Sequence, residues 1–291
     1  MIDQRTLLRD LRLLLRRLEK DLRERVDGTQ HLRQGLDEEY RDARQQGRTG
    51  EEFEAWRGER ITQVAVNWLL ACAFLRFLED NGLIDEPWIA GLGDRLRRAQ
   101  DRQTVHFQEH PTDSDRDWLE RAFRDLAAHP DLAPLFAEGV NPLWRLPISG
   151  DAAGDLIQFF RRIEPDTGVL AHDFTDPEWD TRFLGDLYQG LSDDAKARYA
   201  LLQTPDFIEE FILDRALTPA IHEFGYEAVR LIDPTCGSGH FLLGAFRRLL
   251  ALQEQHKPGL APAARVEAAL KGVAGVDLNP FAVAIARAGP L

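Results

Sequence analysis

Two cysteines in 291 residues, Cys72 and Cys236, are too few and too far apart for a disulfide framework, and each sits among apolar or small neighbours. A reducing, cytoplasmic setting is expected from that usage. No run approaches the roughly 18 apolar residues of a membrane span. Met1-Ile2-Asp3-Gln4 is not the start of a signal peptide, so a soluble protein is expected. Positive charge is also in deficit: 36 Lys and Arg against 49 Asp and Glu leave a net charge of −13, which opposes non-specific adhesion to nucleic-acid phosphates. Neither an internal repeat nor a low-complexity tract is evident. His106, His110, Asp113 and Asp115 have no ligand spacing, and no metal site is expected from them.

What is present in the first two thirds of the chain is helical periodicity. Leu7, Leu11, Leu14, Leu18 and Leu22 form one stripe, with interspersed basic and acidic residues on the other faces that read as a solvated, ion-paired surface. A polar helix is expected near 29–46, ending at Gly47. Thr49 and Glu52 have the spacing of a capping box and predict the start of a long helix that stops at Asn81-Gly82. That helix is apolar nearly all round in its second half and predicts the centre of a domain, with Trp68 and Phe74 as core. Residues 98–115 are polar and read as a loop or a frayed helix. Further helices are expected near 114–128, near 150–162 after Ser149, and near 177–191 after Asp176.

The stretch Leu231-Ile232-Asp233-Pro234-Thr235-Cys236-Gly237-Ser238-Gly239-His240-Phe241-Leu242 predicts a strand, a tight turn and a helix. Gly237 and Gly239 allow positive φ and close approach of a ligand to the backbone, and Asp233 stands at the strand end, where ligands of parallel sheets bind. A dinucleotide fingerprint would require glycine where Leu242 stands, and a phosphate loop would require a lysine that the turn lacks. A ligand with amino-acid and nucleoside parts and no phosphate remains, a shape that S-adenosylmethionine has. A second strand is expected from Gly272 to Asp277, with Asn279-Pro280 opening another helix. Cys236 reads as a packed thiol and Thr204 as a helix N-cap with Pro205 behind it.

Asp233 to Leu242 resembles motif I of the adenine-specific N6 DNA methyltransferases of type I and type IIG restriction systems. Gln203-Thr204-Pro205 is similar to the family's motif X, and Gly275-Val276-Asp277-Leu278-Asn279-Pro280 to its motif II. The order of the three motifs is the family's order. The early LLRDL and the later RFLEDNGLI resemble the methyltransferases of BREX phage-defence systems. Phe183-Leu184-Gly185-Asp186-Leu187-Tyr188-Gln189 resembles the family's Leu-Gly-x-x-Tyr-Glu element, with Gln189 in place of Glu. The resemblance implies S-adenosylmethionine as cofactor. It carries the cofactor site to Thr204, lying over the methionine part, to Asp233, Thr235, Cys236, Gly237, Gly239 and Phe241, to Asp277, whose carboxylate accepts from the ribose hydroxyls, and to Leu278.

The fold expected is a mostly α helical domain over 1–200, followed over 201–291 by the start of an α/β Rossmann-like methyltransferase domain with about two parallel strands. The family aims its adenine amine with an Asn-Pro-Pro-Tyr motif, but no two of the 15 prolines here are adjacent. No catalytic residue is therefore assigned, and a truncated, inactive chain is expected that meets DNA through segments it lacks, with other defence-system proteins as candidate partners. The alternative reading is a non-catalytic helical module that binds a partner and keeps a residual S-adenosylmethionine site.

Overall fold

The computed structural model describes residues 3–130, 132–176, 182–191, 204–277 and 280–288. The chain divides into two compact units, one of residues 1–179 with 190–194, the other of residues 180–189 with 195–291. Residues 180–189, which precede the expected boundary near 200, group with the second unit.

In the first unit, α1 (Gln4–Gly28), α2 (Gln30–Gln45), α3 (Phe53–Asp80), α4 (Arg95–Glu109), α5 (Asp115–Ala127), α6 (Ala133–Phe136) and α7 (Gly150–Phe160) are joined by loops and one 3-10 turn, Pro142–Arg145. The leucine stripe of α1 is buried from Leu7 to Leu22, as its spacing predicts. α3 is the central element: Trp68 and Phe74 are buried, with Trp68 packed on Phe123 (5.6 Å between rings) and Phe74 on Phe136 (6.0 Å). By length and composition α3 does reach the threshold of a membrane span, contrary to the sequence expectation. Its apolar window is 89% buried inside the unit, which makes it a core helix.

Two local expectations give way to the structure. Thr49 does not cap α3: its hydroxyl accepts a hydrogen bond from the Glu51 amide (3.2 Å), and Glu52 is the residue from which the helix starts. The polar stretch expected as a loop or a frayed helix is largely the ordered helix α4, which buries Ala99, Gln103 and His106 on one face. Tertiary hydrogen bonds hold it, from Gln103 Nε2 to Asp115 (2.6 Å), from Arg161 to Gln103 Oε1 (2.6 Å), and between His106 and Asp113 (3.1 Å). Deeper still, Arg76 donates both bonds of a fork to Asp80 (2.7 Å each), and the Glu79 carboxylate accepts from the amides of Trp88, Ile89 and Ala90 (2.6–2.9 Å).

The second unit contains α8 (Arg182–Leu191, its residues through Gln189), α9 (Asp206–Phe224), β1 (Leu231–Asp233), α10 (His240–His256), α11 (Pro262–Leu270), β2 (Val273–Gly275) and α12 (Pro280–Ala288). The expected start of α8 at Pro177 lies outside the described residues. β1 and β2 pair in parallel, with Leu231 opposite Val273, Ile232 opposite Ala274 and Asp233 opposite Gly275. Parallel strands require a crossover, and α10 with α11 supplies it, giving the βαβ unit from which Rossmann-like sheets are built. Leu213 and Leu217 of α9, Val229, and Leu243, Phe246 and Leu249 of α10 form its core. Among the described residues no third strand flanks the pair, and Ile232 is 67% exposed on it.

Candidate functional site

At the carboxyl end of β1 the backbone leaves the sheet through a tight turn. Val276 N–H donates to Asp233 C=O (2.9 Å) and Cys236 N–H to Val276 C=O (3.0 Å), so the turn after β1 is stitched to the residues after β2. Asp233 accepts from the Thr235 amide (3.0 Å), which sets its carboxylate at the strand tip. Asp277 reaches back across the same gap, and its Oδ2 accepts from the Gly237 amide (2.8 Å). Asp277 is therefore tied to the turn.

Gly237 has φ +53° and Gly239 φ +93°, both in the region that favours glycine. Their surroundings separate them. A Cβ on Gly237 would meet nothing within 4 Å, whereas one on Gly239 would lie 2.8 Å from Cβ of Ala286 in α12. Gly275 is close-packed too, since a Cβ there would come within 2.9 Å of Cys236 Sγ. Small residues thus let β2, the turn and α12 approach one another closely, and a hollow opens beside the turn.

That hollow has a volume of about 1050 Å³. Of the residues singled out from the sequence, Thr204, Asp233, Thr235, Cys236, Gly237, Phe241 and Asp277 line it. Gly239 does not, and Leu278 lies outside the described residues. Thr204 precedes α9 without capping it: Pro205 holds the N-cap position, and no side chain caps the helix. Three of the lining residues that sequence reasoning did not place at the site, Leu213, Ala216 and Leu217, come from α9 and form an apolar wall at helical spacing. Gln189 of α8 was legible only as a departure from a family element, yet it lines the same hollow.

The two carboxylates set the electrostatics. Cys236 is buried, and its thiol is pushed up to about 11 by loss of water first and then by the negative charges of Asp233 and Asp277. A thiol raised that far stays protonated at neutral pH, which disfavours attack by its sulfur. His240 opens α10, its Nδ1 3.4 Å from the Ser238 hydroxyl and its Nε2 4.0 Å from Asp186 of α8. Among the described residues no cluster of His, Cys, Asp and Glu could hold a metal. The arrangement suits a ligand with a hydroxyl-bearing or cationic part at the carboxylates, an apolar face toward α9, and close backbone approach at Gly237.

Comparison with known proteins gives two matches. Residues 223–289 match the family described as MmeI, DNA-methyltransferase domain. The chain is similar to the adenine-specific methyltransferase PglX of Streptomyces coelicolor, with 49% identity over 296 residues, covering 99% of this chain and 24% of that protein. The chain therefore spans about a quarter of the length of the curated relative it matches.

Proposed function

We propose, from the chain's similarity to a DNA-methyltransferase family over residues 223–289 and to PglX, that the hollow at the tip of β1 binds S-adenosylmethionine for the N6 methylation of adenine in DNA, in a phage-defence system of the BREX or restriction-modification kind. The observation that carries this reading is that Thr204, Asp233, Gly237 and Asp277, drawn from three separate motifs, line one hollow. Its volume of about 1050 Å³ lies just above the roughly 300–1,000 Å³ usual for small-ligand sites. When bound, S-adenosylmethionine supplies an electrophilic methyl group on a sulfonium.

This chain's residues would bind and orient that donor. Asp277 would accept from the ribose hydroxyls while its bond to the Gly237 amide holds the turn in place. The carboxylate of Asp233 at the strand tip favours the cationic end of the ligand. Gly237 lets the ligand lie close against the backbone, because no Cβ intervenes. The α9 wall and Phe241 exclude water from the apolar side. The chain's 15 prolines include no adjacent pair, so the Asn-Pro-Pro-Tyr element that would aim the adenine amine is not among its residues. Its share of the reaction would be to hold the methyl donor, and the net charge of −13 opposes non-specific contact of these residues with DNA phosphates.

Calorimetric titration with S-adenosylmethionine tests the reading. One site per chain is expected in the wild type, with no methylation of adenine-containing DNA by this chain alone. Asp277→Asn keeps an acceptor for the Gly237 amide and removes the charge, and it should weaken binding roughly 10-fold or more, the worth of one hydrogen bond to a charged group. Absence of binding to the wild type, or equal binding to the variant, would refute the assignment.

A further inference from the structure

Gln189 is a buried polar side chain without an evident structural task. It is 5% exposed, lines the hollow, and its Oε1 finds no hydrogen-bond partner among the described residues. Leaving such an atom unpaired costs on the order of a hydrogen bond, so a side chain retained in that position calls for a partner. Which end of the carboxamide is oxygen is an assignment, so the unpaired atom is an acceptor or, with the amide turned, a donor.

The location of Gln189 says which part of a ligand it would meet. Gly185 and Asp186, one helical turn earlier on the same face of α8, lie against Ser238 and His240 respectively. Gly185 must be glycine for this, because a Cβ there would collide with the Ser238 side chain. α8 therefore lies against the turn at Ser238 and His240, next to Gly237, whose amide is committed to Asp277. With the ribose at Asp277, Gln189 on the same hollow would be left to the other end of S-adenosylmethionine. That end carries an ammonium and a carboxylate, a donor and an acceptor, so it satisfies the carboxamide in either orientation.

We propose that Gln189 is a specificity-determining residue that hydrogen-bonds the amino-acid end of S-adenosylmethionine. The inference rests on the cofactor reading given above, and ligands with and without that end separate the two. In calorimetry on the 291-residue chain, Gln189→Met, which keeps the length and removes the polarity, should weaken S-adenosylmethionine and S-adenosylhomocysteine by roughly 10- to 100-fold, as for a hydrogen bond to a charged group. 5′-Methylthioadenosine, which lacks the amino-acid end, should bind both chains within about 2-fold in competition at millimolar concentration. Equal losses for all three ligands, or no loss for any, would overturn the proposal while leaving the cofactor site standing. Failure of the wild type to bind any of them overturns both. An unchanged circular-dichroism melt of Gln189→Met excludes misfolding as the cause, and partial recovery by Gln189→Asn is a further expected result that a pure packing role would not give.

Discussion

The two glycines of the turn look alike in sequence and differ in what the fold asks of them, and Gly239→Ala isolates that difference. At φ +93° an alanine incurs the steric cost of a left-handed conformation, about 1–2 kcal/mol. Its Cβ also falls 2.8 Å from Cβ and 3.0 Å from Cα of Ala286, and since the second contact is with backbone, α12 must shift. Overpacking of that kind costs about 1–3 kcal/mol more, for a total near 2–5 kcal/mol. Gly237→Ala, at φ +53° with open space around it, should show the conformational cost alone. None of the six tryptophans lies in the second unit, so indole fluorescence would miss the loss. Hydrogen exchange of peptides covering 231–256 and 280–288 reads it directly. The expected result is a stability loss about 1–3 kcal/mol larger for Gly239→Ala, with the larger loss of S-adenosylmethionine affinity falling on Gly237→Ala, because Gly237 lines the hollow and Gly239 does not. Equal destabilisation by the two variants would refute the packing argument at Ala286.

Three further outcomes are expected. Trp68→Ala empties the centre of the first unit and should cost about 3–5 kcal/mol in urea unfolding without changing S-adenosylmethionine affinity, since Trp68 is core and packs on Phe123. Cys236, with its thiol pushed up to about 11, should alkylate roughly 100-fold more slowly at pH 8 than an ordinary thiol, and unfolding in urea should restore normal reactivity to it and to the buried Cys72. Burial pushes Glu79 from an ordinary value of 4.5 up to about 7, outweighing Arg76 and three amide donors. The folded state then holds the proton more tightly than the unfolded one, so this contribution is complete below about pH 4.5 and is lost as pH rises through 7. Urea unfolding of the wild type against Glu79→Gln over that window measures it: the wild type should lose on the order of 3 kcal/mol more across the range, and parallel pH profiles would contradict the direction given.

Legibility differed from element to element for local reasons. α1 and α3 were readable because a leucine stripe and a long apolar helix are visible over many turns. α4 was not, because its helical state depends on hydrogen bonds from Gln103 and His106 to Asp115 and Asp113, and on Arg161 more than fifty positions away. Thr49 and Thr204 carried the spacing of helix caps, but the chain used Glu52 and Pro205 in that position, since each helix starts where its own packing begins.

By itself, the sequence determined the local chemistry of the second unit: a strand ending in Asp233, a glycine turn, a helix, and a second strand ending near Asp277. Those features depend on residues within a dozen positions of one another, where backbone preference and periodicity act directly. Tertiary structure alone decided that Gly237 opens on a hollow while Gly239 packs against α12, that Asp277 holds the Gly237 amide 40 residues away, and that Gln189 lines the same hollow with its Oε1 unpaired among the described residues. Each of these is a meeting of segments distant in the chain, and no periodicity encodes which side chains meet once the strands pair and the helices close over them.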